Sequence, residues 1–174
     1  TLLSQRCIQG NSSIGLLVNT AHHHRAVMMP LLLNSLAAAG FPSESIHIFV
    51  GGTGHNASYK QDCVHVHERP YEDIDFNALI GVCQLPDVRR QHSAWFYMHG
   101  SGAVTPAFGK WMKQQEHREP YTARLCGKFS ANWGMYKTSD LERVCGHLLR
   151  VRNPGNISAA VMKAKAMKLE DKVF

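Results

Sequence analysis

Short apolar runs, set apart by helix-like stretches, narrow the fold more than any other feature of this chain. Residues 14–18 (IGLLV), 46–50 (IHIFV) and 94–98 (AWFYM) are apolar on nearly every position, the pattern of a strand covered on both faces. Residues 63–67 (CVHVH) alternate like a further short strand. Between these runs, residues 29–39 read as a helix, with Pro30 in its first turn and Gly40 at a left-handed C-terminal cap. A second helix is predicted over 76–85, where Phe76, Leu79, Ile80 and Cys83 recur at helical spacing and Asp73 or Asp75 can cap the start. Asn19-Thr20-Ala21 and His22-His23-His24 read as the exit loop of the first strand, and Gly51-Gly52-Thr53-Gly54 as a turn closing the second.

After the 94–98 run, which ends in His99-Gly100-Ser101-Gly102, a short helix is predicted over 108–115, with Pro106 near its start. A strand falls within 129–135. Ser139-Asp140-Leu141-Glu142 is a capping-box pattern opening a helix through Leu149. A last helix covers 157–168, with Ile157, Val161, Ala164 and Met167 on one side. Strands separated by helices predict an α/β fold with a largely parallel sheet. With no repeat and no low-complexity linker, residues 1–174 read as one domain.

Composition limits the partners. The net charge is +6, and 11 histidines add to it below neutral pH, a balance suited to an anionic partner. The Lys and Arg residues are scattered except for Lys163, Lys165, Lys168 and Lys172. No nucleic-acid motif accompanies them, which points to phosphate on a small ligand rather than to nucleic acid. A solvated basic surface explains the charge equally well. The apolar stretch around residues 27–33 is far shorter than the ~20 residues of a membrane span, so no span is expected. No signal-peptide pattern opens the chain at Thr1, and three N-x-S sequons (Asn11, Asn56, Asn156) matter only in a secretory lumen; cytosol and lumen both stay open. Five irregularly spaced cysteines without a C-x-x-C pair argue for buried, reduced thiols rather than a disulfide framework or zinc finger.

Taken in order, IGLLVNTA, LLLNSLAAAGFPSESIHIFVGG, YEDIDFNALIGV and WFYMHGSGAVTPAFG resemble the first strand, helix and second strand, the helix that precedes the central strand, and the metal-loop strand of a GT-A-type glycosyltransferase. That family has a nucleotide-diphospho-sugar transferase fold, a three-layer α/β sandwich with a largely parallel central sheet. The loop is similar to the Tyr-x-His-Asp-Thr version found in some members from large DNA viruses. The resemblance implies sugar transfer from a nucleotide-diphosphate-sugar donor to a hydroxyl of a glycan or protein acceptor. The donor would lie across the loops after the first, second and fourth predicted strands. One departure matters: Gly100 stands where the family places aspartate. Mn²⁺ or Mg²⁺ would therefore be weakly held, since hard cations prefer oxygen ligands and a lone histidine is a poor substitute. Transfer without a metal, or a binding module without catalysis, are the two consequences.

Residue by residue, the resemblance assigns Thr20, Ala21 and His22 to the nucleotide. Gly51, Gly52, Asp75 and His99 join them. Ser101, Asn132 and Trp133 fall to the sugar or acceptor, an indole being a good platform for sugar C–H faces. Glu170 and Asp171 stand as the catalytic carboxylates, one of them the general base of an inverting transfer. Each has a plainer alternative: exposed loop for His22–His24, turn for the glycines, helix cap for Asp75, core for Trp133, and a lysine-paired helix end for Glu170-Asp171. Arg118, Arg124 and Lys128 are candidates to neutralise phosphate. His65 and His67 share a strand face, suited to two metal ligands or to the wet side of an edge strand. With His22–His24 or His99 they raise a histidine-metal hydrolase as a further reading.

Overall fold

A computed structural model describes residues 7–124 and 133–152. They build one mixed seven-stranded sheet between helices. In chain order the strands are β1 (Ile14–Ala21), β2 (Ile46–Gly51), β3 (Ala57–Gln61), β4 (Val64–Glu68), β5 (Ala94–His99), β6 (Ala123–Arg124) and β7 (Trp133–Lys137). The helices are α1 (His22–Ala38), α2 (Asn77–Gln84), α3 (Pro86–Arg89), α4 (Pro106–Glu116) and α5 (Thr138–Val151). The strand order is β3-β4-β2-β1-β5-β7-β6.

The apolar runs became strands for the expected reason: each is sandwiched. Along β1, Leu16 and Val18 pack with Met29, Leu32 and Leu36 of α1 and Met112 of α4. Leu17, facing the other way, packs with α2 and with Leu141, Cys145 and Leu148 of α5. Successive side chains of a strand point to opposite faces, so both faces must be covered. Three layers result. The largely parallel sheet is corrected, however. β4, β2, β1 and β5 run parallel, but β3, β7 and β6 join antiparallel.

β3 is one such addition that the sequence does not betray. Its residues, Ala-Ser-Tyr-Lys-Gln, are mostly exposed, so no apolar run marks it. It pairs with β4 through a two-residue turn whose central residues, Asp62 and Cys63, both have positive φ (50° and 66°). That is the geometry of a type I′ hairpin, which usually carries Asn-Gly or Asp-Gly.

Two helix boundaries also differ from expectation. β1 continues through Asn19, Thr20 and Ala21, and α1 begins at His22 with no intervening loop. Pro30 thus lies inside α1, exposed, where its missing N–H leaves the Ala26 carbonyl without a helical partner. The C-terminal end is as expected. Gly40 has φ +71°, Gly40 N–H donates to Ala37 O and Phe41 N–H to Leu36 O, both at 3.0 Å, the paired bonds of a Schellman motif. α2 is not capped by an aspartate: its Ala78 N–H donates to Asn19 Oδ1 at 2.9 Å. Nor does the capping box close at α5; Asp140 instead accepts from Thr122 Oγ1 at 2.6 Å and Arg143 Nη2 at 2.8 Å. Residues 129–132 and the helix expected over 157–168 lie outside the described residues.

The expectation of reduced thiols is overturned. Cys83 of α2 is bonded to Cys145 of α5, and Cys7 to Cys63 at the β3–β4 turn. The paired residues are 62 and 56 positions apart; spacing in sequence holds no trace of a contact that the fold creates.

Candidate functional site

The chain runs from β1 through α1 to β2 on one side, then from β4 through α2 and α3 to β5 on the other. The order therefore reverses between β1 and β5, with α1 on one face and α2 on the opposite one. In open α/β sheets a crevice forms outside the carboxyl ends of the strands at such a switch point, and ligands bind there. The register brings Asn19 opposite His99, and Ala21 opposite Gly51. Thr20, Ala21, His22, Gly51, Gly52, His99 and Ser101 thus line the same edge of the sheet.

The floor of this edge is knitted by buried polar groups. Asn77 is fully buried; its Oδ1 accepts from Asp73 N–H at 2.6 Å and its Nδ2 donates to Thr20 O at 3.4 Å. Arg69 reaches Asp73 with Nη2–Oδ2 at 3.2 Å. Gly51 lies so close to Asn77 that any Cβ would overlap its amide. Buried amides and ion pairs of this kind hold only when their partners are in place. The sequence does not single out Asn19, Arg69 or Asn77, because a polar residue in a strand, a loop or a short helix carries no distinctive spacing.

At the tip of β5, His99 keeps 22% of its side chain exposed. Its Nε2 is 3.0 Å from the Tyr97 hydroxyl and 3.7 Å from Asp75 Oδ1. Tyr97 in turn donates to the backbone carbonyl of Asp75. Burial pushes the imidazole below its usual pKa, and the Asp75 charge opposes this. Tyr97 could have been found beside His99 from the two-residue alternation of a strand, which puts both on one face.

Gly100 faces the other way. A Cβ there would come 3.2 Å from Thr20 Cβ and 3.3 Å from Met29 Sδ, so a side chain at the position where the resembling family carries aspartate requires these neighbours to give by a few tenths of an ångström. Among the described residues no group of three or more His, Cys, Asp and Glu is arranged to hold a metal ion. Mn²⁺ or Mg²⁺ would lack a set of oxygen ligands at this tip, and the described residues do not fit such an ion.

Trp133 is partly buried opposite Met98 and lies near Gly102, edge-on to Phe96 at 6.0 Å between ring centres. It therefore flanks the tip loop that holds Ser101. The helix α1 starts at this edge with no side-chain cap and no acidic residue in its first turn, and His22, His23 and His24 are exposed there. Nearby, Glu68 at the end of β4 accepts from Arg25 Nη1 at 2.6 Å and Tyr59 OH at 2.7 Å, with His55 Nε2 at 2.5 Å. The Tyr59 hydroxyl, Arg25 and His55 hold its carboxyl below the usual range.

Other candidates fall elsewhere. The Gly51–Gly54 turn does not offer free amides at its end: Thr53 and Gly54 N–H donate to Arg69 O and Pro70 O at 3.0 and 3.2 Å. Arg118 lines a shallow groove with Ser13 and Ser93, at the amino ends of β1 and β5, the edge opposite the crevice. His65 and His67 form neither a metal pair nor a wet edge. β3 covers β4, His67 is buried, and the rings of His65 and His47 stack at 4.4 Å with 4° between planes. His65 Nε2 faces Glu44 Oε2 at 3.4 Å, whereas His67 Nε2 lies 3.1 Å from His47 Nδ1 and its Nδ1 3.0 Å from Ser58 Oγ, so the two rings do not converge on one ion. Asn132, Lys128, Glu170 and Asp171 lie outside the described residues, as does the side chain of Arg124. Among the described residues no helix is long and apolar enough to cross a membrane. Comparison with known proteins finds no matching family model and no matching curated protein.

Proposed function

We propose that this chain is a GT-A-like domain that binds a nucleotide-diphosphate sugar and transfers the sugar to a hydroxyl acceptor without depending on a tightly held divalent cation. The observation that carries the reading is the switch point between β1 and β5, where Thr20, Ala21, Asp75 and His99 meet on one edge. Two further features support it. The uncapped start of α1, with its exposed histidines, suits a diphosphate, because free helix N–H groups and the helix dipole favour anions. Trp133 beside the tip loop suits a sugar face.

The packing of Gly100 against Thr20 and Met29 favours a second reading, a module that binds nucleotide or glycan without catalysis. Calorimetric titration with UDP, GDP and their sugars, with and without Mn²⁺, separates the two. Metal-independent binding with donor turnover supports transfer, binding without turnover supports the module, and absence of binding removes both.

A further inference from the structure

We infer that His99 is the general base of this site, presenting an unprotonated Nδ1 to the acceptor hydroxyl. The inference rests on the glycosyl-transfer reading and deepens it. Its basis is the tautomer that the surrounding hydrogen bonds impose. Tyr97 has one O–H, and that proton is committed to the backbone carbonyl of Asp75. The 3.0 Å contact between the Tyr97 oxygen and His99 Nε2 is then one in which the imidazole donates. Nε2 carries the proton, and the lone pair is left on Nδ1. Among the described residues Nδ1 has no hydrogen-bond partner, and His99 stands at the open tip of β5 rather than in the core.

Asp75 completes the arrangement. Its Oδ1, 3.7 Å from Nε2, is on the proton-bearing side of the ring, where it stabilises the imidazolium formed when Nδ1 takes a proton. An oriented imidazole backed by a carboxylate is the general arrangement of a histidine base. Among the described residues, Tyr97 and Asp75 are the titratable groups that face the ring, and burial favours its neutral form while the Asp75 charge opposes this. Both partners come from elements the fold holds firmly: Tyr97 is fully buried in β5, and Asp75 sits in the turn whose neighbouring residue, Asp73, is tied to Arg69 and Asn77.

In the step, the acceptor hydroxyl gives its proton to His99 Nδ1 as its oxygen forms a bond to the anomeric carbon. The bond from that carbon to the nucleotide β-phosphate oxygen breaks, and its electron pair leaves with the nucleoside diphosphate. The imidazolium then releases its proton to solvent. Water in place of the acceptor gives hydrolysis by the same route. Tyr97 and Asp75 are positioning residues.

Two measurements test this on the intact chain. Nitrogen-15 NMR of the histidine rings, with His99→Gln for assignment, reads the tautomer without any substrate; a proton on Nε2 is expected, and a proton on Nδ1 overturns the inference. Donor turnover with the UDP- and GDP-sugar panel supplies the second readout. His99→Gln is expected to lower turnover by about 10²–10⁴-fold and to abolish an acid limb in the pH–rate profile. Tyr97→Phe is expected to mix the tautomers, and Asp75→Asn to move the acid limb to lower pH. Unchanged turnover and pH profile in His99→Gln overturn the base while leaving glycosyl transfer standing. Failure of the wild-type chain to bind any nucleotide, or binding with no turnover, removes the transfer reading and the base with it.

Discussion

Acid should unfold this protein well above the pH at which carboxylates titrate. The cause lies beneath the sheet, where β2, β4 and His92, two residues before β5, bring four imidazoles together. His47 is fully buried, stacked on His65 at 4.4 Å, and edge-on to His92 and Trp95. Its Nδ1 lies 3.1 Å from His67 Nε2, and His67 Nδ1 lies 3.0 Å from Ser58 Oγ. Burial, reinforced by the neighbouring imidazoles, pushes His47 from its ordinary 6.5 to about 2 and His67 to about 4. His65 is lowered too, by burial and Lys60 against the pull of Glu44, and His92 by burial against its bond to Ser12 O.

A group whose pKa is lowered by folding binds its proton more readily in the unfolded chain. Its effect is absent above the unfolded value and grows as pH falls below 6.5. For His47 and His67 the loss at pH 5 is about 2 kcal/mol each, or about 4 kcal/mol together. That is comparable with the whole stability of a weak domain. Glu44 and Glu68, whose folded pKa values are lowered, weaken the fold only as pH falls below their own ordinary range, so the histidines dominate above pH 5. Guanidinium unfolding at pH 7.5 and pH 5 measures the slope directly. His47→Phe keeps a ring in the stack and should remove about half of it. A midpoint that does not move between the two pH values would refute the reasoning.

Three other outcomes follow from the same coordinates. Gly100→Asp should cost about 1–3 kcal/mol of stability by crowding Thr20 and Met29 and should leave nucleotide binding independent of Mn²⁺ by calorimetry, because the described residues place no set of oxygen ligands beside it; binding that becomes Mn²⁺-dependent would contradict this account of the tip. Paired Cys83→Ala and Cys145→Ala should lower unfolding free energy by about 4 kcal/mol, the loop-closure value for a separation of 62 residues, and a loss below about 1 kcal/mol would show that the unfolded chain is compact there. Gly51→Ala should displace Asn77 and loosen the floor of the crevice, seen as a fall in thermal midpoint together with weaker nucleotide binding; a variant as stable as wild type would contradict the packing.

What could be read from sequence follows burial. IGLLV, IHIFV and AWFYM announce themselves because both faces of each strand are covered, and a doubly buried strand must be apolar throughout. β3 stays hidden because neither of its faces is buried well enough to require apolar residues. Proline is common in a first turn, so Pro30 points to a helix start at residue 29, whereas Met29, Leu32 and Leu36 anchor a helix that begins seven residues earlier, at His22, and carries an exposed Pro30. Around the crevice, the places of His99 and Gly100 at a strand tip and of Asp75 at a helix start were legible. The buried supports Asn19, Asn77 and Arg69 were not, since what distinguishes them is a partner distant in sequence.

The direct passage from Ala21 into His22 has a consequence for how this crevice can change. With no residue between β1 and α1, an insertion there must break either a sheet ladder or the first turn of a helix. Among the described residues, the segments at this edge that can change length are 52–56, after β2, 69–73, after β4, and 100–105, after β5. Selection for a different ligand would remodel such segments while the junction between β1 and α1 stays constant. A library that randomises 52–56 and 100–105 and leaves 19–24 untouched therefore searches walls of the crevice on an unaltered base.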